Sequence, residues 1–381
     1  MAMYRMSGRN AMCHCGSGRK FKHCCLHTTS DAARPIVPKA IATLEMKVAE
    51  KRLWQNKYGN VTPVIHADWN GEKWIAVGNE LHHSSKWKTF ADFLAYYIKS
   101  VLTPSWGNEE LLKTFSERHP ILQWYDRSCR LQTKQAKEKD GLFAVIPNGA
   151  MHAYYLIAYD LYTLRHHSTL QESLIARIKN KDQFQGARHE LFAAATCIRA
   201  GFEIEYENER DGSRRHTEFV AKHKFTSQRI NVEAKSRHRK GVLGQPGDRT
   251  ADDQVRVRIR SLINDAIGKP VQFPYVIFLD LNLPPSSPRP ITEDWFRRIA
   301  SPILDDRKNK GDSDPWTLLV FSNFPDHYVD DDGPAPIGYA VGMLGKNPPQ
   351  ISDHPENITA ILDAALKFGN IPTRFEEMQL T

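Results

Sequence analysis

The 381-residue chain contains no apolar run of the length that crosses a bilayer. Its first ten residues, MAMYRMSGRN, lack the apolar stretch of a secretory signal, so the expected location is the cytoplasm, with cysteines reduced and no membrane partner. Internal repeats and low-complexity tracts are missing. So are the His-Glu-x-x-His metalloprotease helix, the phosphate-binding P-loop and the Gly-x-Ser-x-Gly nucleophile turn, which excludes the enzyme classes built on them. Residues 1–30 hold Arg5, Arg9, Arg19, Lys20 and Lys22 and no Asp or Glu.

What is present supports a folded, basic protein. Hydrophobic residues make up 41% of the chain, enough to bury a core, and the formal net charge of +8 favours a polyanionic partner. Four of the six cysteines, Cys13, Cys15, Cys24 and Cys25, fall within thirteen residues. Cys129 and Cys197 stand alone and are expected to be ordinary buried side chains.

The organisation read along the chain is a Cys-rich module at 1–27, a linker at 28–38 broken by Pro35 and Pro38, a mostly helical domain of unassigned role at 39–170, and an α/β domain at 171–381 ending in a helix. In the middle domain, helices are predicted over 39–57, 87–102 and 150–165. Two short strands at 62–66 and 73–77 are joined by the turn signal Asn70-Gly71. From residue 171 the pattern predicts helices over 171–179 and 187–200 and strands over 202–207, 216–225 and 229–237. A helix follows at 252–269, and nearly continuous apolar strands at 274–283 and 316–321 flank a helix at 292–305. This is an α/β (α+β) order, a central mixed sheet flanked by helices.

In CHCGSGRKFKHCC, four thiolates this close suit one tetrahedral zinc ion, and Gly16 and Gly18 permit the chain reversal that brings the second pair to the first. Metal binding would supply folding energy that so short a segment cannot draw from a core. The stretch GRNAMCHCGSGRKFKHCCL resembles the SEC-C motif, named for the zinc-binding tail of the SecA translocation ATPase. The resemblance implies zinc ligands at Cys13, Cys15, Cys24 and Cys25, with Met12 and His14 where prolines are common. It also implies an adaptor that docks a protein partner or a ribosomal surface. The basic loop Arg19-Lys20-Phe21-Lys22 could equally touch nucleic acid, with Phe21 as a stacking face. His14, His23 and His27 are read as bystanders.

On the predicted strand Arg229–Arg237, Asn231, Glu233, Lys235 and Arg237 share one face. A carboxylate and an ammonium two residues apart suit phosphodiester chemistry: the acid can hold Mg²⁺ or Mn²⁺, and the lysine can orient water or stabilise developing negative charge. Glu218, one strand earlier, is the expected second carboxylate. Glu190 lies on a helix stripe of small residues, an unusual place for an acid.

These residues resemble the PD-(D/E)xK nuclease family. Carried over, Glu190 matches its helix acid, Glu218 its aspartate position, and Glu233-Ala234-Lys235 its last element, over roughly residues 171–345. The resemblance implies a restriction-endonuclease-like fold and a metal-dependent endonuclease acting on DNA rather than RNA, in defence or repair. Position 218 departs from the pattern, with Thr217-Glu218 in place of Pro-Asp and Asp211 in the preceding turn. That departure motivates the alternative, a catalytically degenerate nuclease-fold binding protein whose zinc module docks to nucleic acid, a ribosome or a protein partner. Arg237, Arg239, Lys240, Arg256 and Arg260 are the candidate phosphate contacts.

Overall fold

The computed structural model describes residues 8–13, 16–25, 36–139, 142–206, 216–247, 255–285, 303, 305, 314–329, 333–367 and 370–375. The linker segment 28–35, the turn containing Asp211, and all of the expected helix at 292–305 save two residues lie outside them. The chain divides into two units, residues 1–56 with 380–381, and residues 57–379. Among the described residues no helix is long and apolar enough to cross a membrane.

Helix α1 spans Ile36–Tyr58. Next comes a three-stranded antiparallel sheet, β1 (Ile65–Trp69), β2 (Glu72–Val77) and β3 (Glu80–Ser84). Asn70 and Gly71 both have positive φ, as a tight hairpin between twisted strands requires. The third strand extends the expected two-stranded hairpin. Its turn uses Gly78, also at positive φ, and His82 is held among the rings of Phe93, Tyr96 and Tyr97.

Helix α2 (Phe90–Leu102) starts at a capping box in which Thr89 and Asp92 bond each other's backbone amides. Proline at the first turn opens both α3 (Pro104–Leu112) and α4 (Pro120–Gln135), where its missing N–H costs nothing. A short pair, β4 (Lys137–Lys139) and β5 (Leu142–Ala144), leads to α5 (Gly149–His167). Helix α5 is buried on almost every side because it packs against α2, α4 and the later α7.

Helices α6 (Glu172–Lys179) and α7 (Phe184–Arg199) precede a six-stranded mixed sheet. Its strands are β6 (Phe202–Glu205), β7 (Phe219–His223), β8 (Arg229–Ser236), β9 (Tyr275–Asp280), β10 (Leu318–Asn323) and β11 (Tyr339–Leu344). They lie side by side in chain order. β8, β9 and β10 run parallel; β6–β7–β8 and β10–β11 are antiparallel. Every residue of β9 and β10 is buried, which explains why both read as unbroken apolar runs.

Helices cover both faces. On one, Phe192 and Arg188 of α7 meet Phe278 and Asp280. On the other, Ile259, Ile263 and Ala266 of α8 (Val255–Ile267) share a core with Ile277, Leu279 and Trp316. Helix α9 (Pro355–Leu366) packs on α7 and β11.

Candidate functional sites

In the first unit, the chain after Cys13 reverses through Gly16 and Gly18, both at positive φ. The return strand bonds the outgoing one, Cys13 N–H to Arg19 O and Phe21 N–H to Ala11 O. A single 3₁₀ turn at Phe21–His23 then presents Cys24 and Cys25. The sulfurs of Cys13, Cys24 and Cys25 all lie within 4.8 Å of one another, and Cys24 Sγ is 3.9 Å from Cys25 Sγ. A thiolate tetrahedron with metal–sulfur bonds of about 2.3 Å has edges of about 3.8 Å, so this cluster can hold a metal ion, consistent with zinc. Cys15 and His14 lie outside the described residues. Arg19 and Lys20 are exposed on the loop.

In the second unit, β8 is central, paired with β7 on one side and β9 on the other. Phe219 pairs with Val232, and Glu218 N–H donates to Val232 O at 3.0 Å. Glu218 immediately precedes β7, and its carboxylate lies near that of Glu233, since one ammonium reaches both. Glu233 is fully buried. Lys235 Nζ lies 2.7 Å from its Oε1, and Lys269, just past the end of α8, reaches both of its oxygens at 2.7 and 2.8 Å. Lys269 Nζ is also 3.9 Å from Glu218 Oε1, so one ammonium bridges the two acids.

The electrostatics follow from this packing. Burial, then the neighbouring Glu218 charge, raises the Glu233 carboxyl above its ordinary range, against the pull of the two lysines. Burial works against the charge on Lys235, but Glu233 beside it prevails and holds the ammonium above its usual pKa. Lys269 was not legible in the sequence: it is 34 positions after Lys235, and only the fold of α8 back over the sheet brings it in.

Glu190 does not join this group. It is buried on α7, on the opposite face of the sheet, and Arg177 of α6 grips it with two bonds of 2.6 and 2.9 Å. Asn231 is likewise occupied: its Oδ1 accepts from the Gln272 and Phe273 amides and its Nδ2 donates to Thr217, pinning the entry to β9.

Of the basic candidates, Arg237 and Arg239 are buried. Arg237 donates to Leu281 O, and Arg239 to Tyr328 Oη and Asn282 O. Lys240 and Arg260 are exposed, while the Arg256 side chain lies outside the described part of α8.

A second polar cluster, missed in the sequence, lies at the C-terminal ends of the parallel strands. Buried Asp280 accepts from Ser236 Oγ at 3.0 Å and Arg188 at 3.2 Å. Asn282 donates to Gln185 Oε1 and Arg237 O, and Tyr328 Oη donates to its carbonyl at 2.7 Å. His189 nearby is buried, which lowers its pKa to about 4. Such strand ends are where open α/β sheets usually take ligands, but here the side chains mostly satisfy one another. The cluster reads as the fastening of α7 to the sheet. The signal for it was the polar Asp280 and Asn282 inside the apolar run PYVIFLDLNL.

In comparison with known proteins, residues 9–26 fit the model of the SEC-C motif. No curated protein and no solved structure matches the chain.

Proposed function

We propose that the protein is a zinc-carrying, metal-dependent nuclease of the PD-(D/E)xK type, acting on DNA in the cytoplasm. The observation that carries this reading is the convergence of Glu218, Glu233 and Lys235 at one point on adjacent strands, in a helix–three strands–helix–strand order. Two carboxylates at one point are oxygen donors of the kind Mg²⁺ or Mn²⁺ takes, and their mutual repulsion favours a cation between them. Glu218 and Glu233 would hold the ion, whose chemistry when bound is to acidify water and neutralise phosphate charge. Lys235, with its side chain 24% exposed, would stabilise negative charge developing on a phosphate oxygen. Lys240 and Arg260 supply the exposed positive charge for a nucleic-acid backbone. In the SEC-C segment we infer a structural zinc, completed by Cys15, and a docking role toward a protein or ribosomal partner.

One observation favours a second reading, a binding protein with a degenerate site: the Lys269 ammonium already bridges the two acids. Nicking of supercoiled plasmid by the purified protein with Mg²⁺ or Mn²⁺ separates the two. The nuclease reading expects nicking that Lys235→Met lowers by about 10²–10³, the scale of one lost transition-state charge contact. Equal nicking by wild type, Lys235→Met and Glu233→Gln removes that reading and leaves the binding one.

A further inference from the structure

The helical part of the second unit carries an open pocket of about 400 Å³ lined by residues of α2, α3, α4 and α5. Its walls are mainly apolar: Leu102, Trp106, Leu111, Ile121 and Leu122 are among them. That volume and lining match a small-molecule site, which is typically apolar with a few placed polar groups. Lys99 is the one charged side chain among the described lining residues. Its ammonium donates to Tyr125 Oη at 3.2 Å and lies 4.4 Å from that ring's centroid. Lys99 and Tyr125 also wall an adjoining, more polar space that includes Lys86, Gln132 and Asp92, whose carboxylate accepts from the Lys88 and Thr89 amides. Outside the lining, the Lys179 ammonium stands 5.8 Å from the Trp106 ring. The nearest buried acid, Glu110, is bound to Lys113 at 2.5 Å and to the His119 amide at 2.7 Å. In the polar space beside the cavity, Lys86 and Lys99 outnumber Asp92, so its charged lining is net positive.

Two backbone features of the wall have no other evident purpose. Thr103, between α2 and α3, has φ 69° and ψ 133°, a conformation that costs free energy for a β-branched residue. It is both the C-cap of α2 and the N-cap of α3, and it lines the pocket. Gly107 lies inside α3, where glycine is less stable than alanine, yet a Cβ built there meets nothing within 4 Å. No protein neighbour demands a glycine at this position. Its effect is to leave the cavity wall thin.

We propose that this cavity binds a small amphipathic anion: a hydrocarbon body on the order of 10–20 non-hydrogen atoms, judged from the volume, with one carboxylate at Lys99. The apolar chamber takes the body and the polar space beside Lys99 takes the head group. The helical region thereby becomes a ligand-sensing part of the protein, independent of the carboxylate–lysine site on the sheet.

Isothermal titration of the full chain with octanoate and octylammonium tests this. Wild type is expected to bind one octanoate and to bind octylammonium at least 10-fold more weakly. Lys99→Met should abolish that preference by weakening octanoate alone. Gly107→Leu should lower octanoate affinity at least 10-fold while the unfolding temperature stays equal or rises, because the new side chain fills the chamber and stiffens α3. If that variant fails to fold, Gly107→Met carries the same test. Three outcomes would each overturn the proposal: no octanoate binding at millimolar concentration, equal binding of the two head groups, or undiminished binding by a folded Gly107 variant.

Discussion

Replacing Lys269 by methionine isolates the question of what balances the two acids on the sheet. Glu233 is fully buried and held by two ammonium groups, each at 2.7 Å from its Oε1. Removing the partner of a buried ion pair costs about 3–5 kcal/mol when nothing else compensates. Here Lys235 remains, so the expected loss is smaller, about 2–3 kcal/mol at neutral pH in EDTA. A divalent ion could then occupy the position the ammonium leaves. At ten times its dissociation constant it would return RT ln 11, about 1.4 kcal/mol. Urea unfolding followed by tryptophan fluorescence, in EDTA and across a Mg²⁺ or Mn²⁺ series, measures both terms. Wild type should gain less from the metal, because the ion has first to displace Lys269. The reasoning fails if the variant is as stable as wild type in EDTA, or if metal stabilises the two proteins equally.

Four further outcomes follow. Cys24→Ser combined with Cys25→Ser should remove bound zinc, measured by elemental analysis of the purified protein, and unfold the N-terminal module without moving the main unfolding transition. Arg177→Met takes the two-bond partner from buried Glu190 and should cost about 2 kcal/mol or more in urea unfolding, below the full 3–5 because Arg177 is partly exposed. Its effect on any nicking should be no larger than its effect on stability. His119 and His189 are buried, and burial lowers their pKa values to about 3 and about 4. The unfolded chain binds protons at these histidines near pH 6.5 while the folded one does not, so stability present above pH 6.5 is lost as pH falls toward 4. The slope should approach about 1.4 kcal/mol per pH unit for each histidine, and His189→Gln should flatten it by one such increment. Lys240→Ala with Arg260→Ala should weaken nucleic-acid binding and lower its salt dependence by about one unit of slope per lost phosphate contact, whereas Arg239→Ala should chiefly destabilise the fold.

Much of the fold was legible because local pattern carried it. β9 and β10 announced themselves as apolar runs, the Asn70-Gly71 turn set one hairpin, and the stripe Ile259–Ile263–Ala266 marked the buried face of α8. The strand β3, ELHHS, was missed because its aromatic packing partners come from α2, and nothing in five mostly polar residues declares them. Helices α3 and α4 were missed too. They open on Pro104 and Pro120, a signal that also marks the end of a helix.

The chemistry divides in the same way. Four cysteines with two glycines between the pairs mark a segment that could hold a metal ion, since ligand type, spacing and turn are all local properties. The alternation of β8 likewise states that Glu233 and Lys235 share a face. Whether Glu218 meets Glu233, however, depends on strand register. The insertion of Lys269 depends on where α8 ends, and the removal of Glu190 to Arg177 depends on which side of the sheet α7 covers. The burial of Arg237 and Arg239 beneath Asn282 and Tyr328 is of the same kind. Sequence determines the charges available and their local spacing. Only tertiary packing decides which charges are desolvated together, because the cost of burying a carboxylate is met by whichever cation the fold brings within about 3 Å of it.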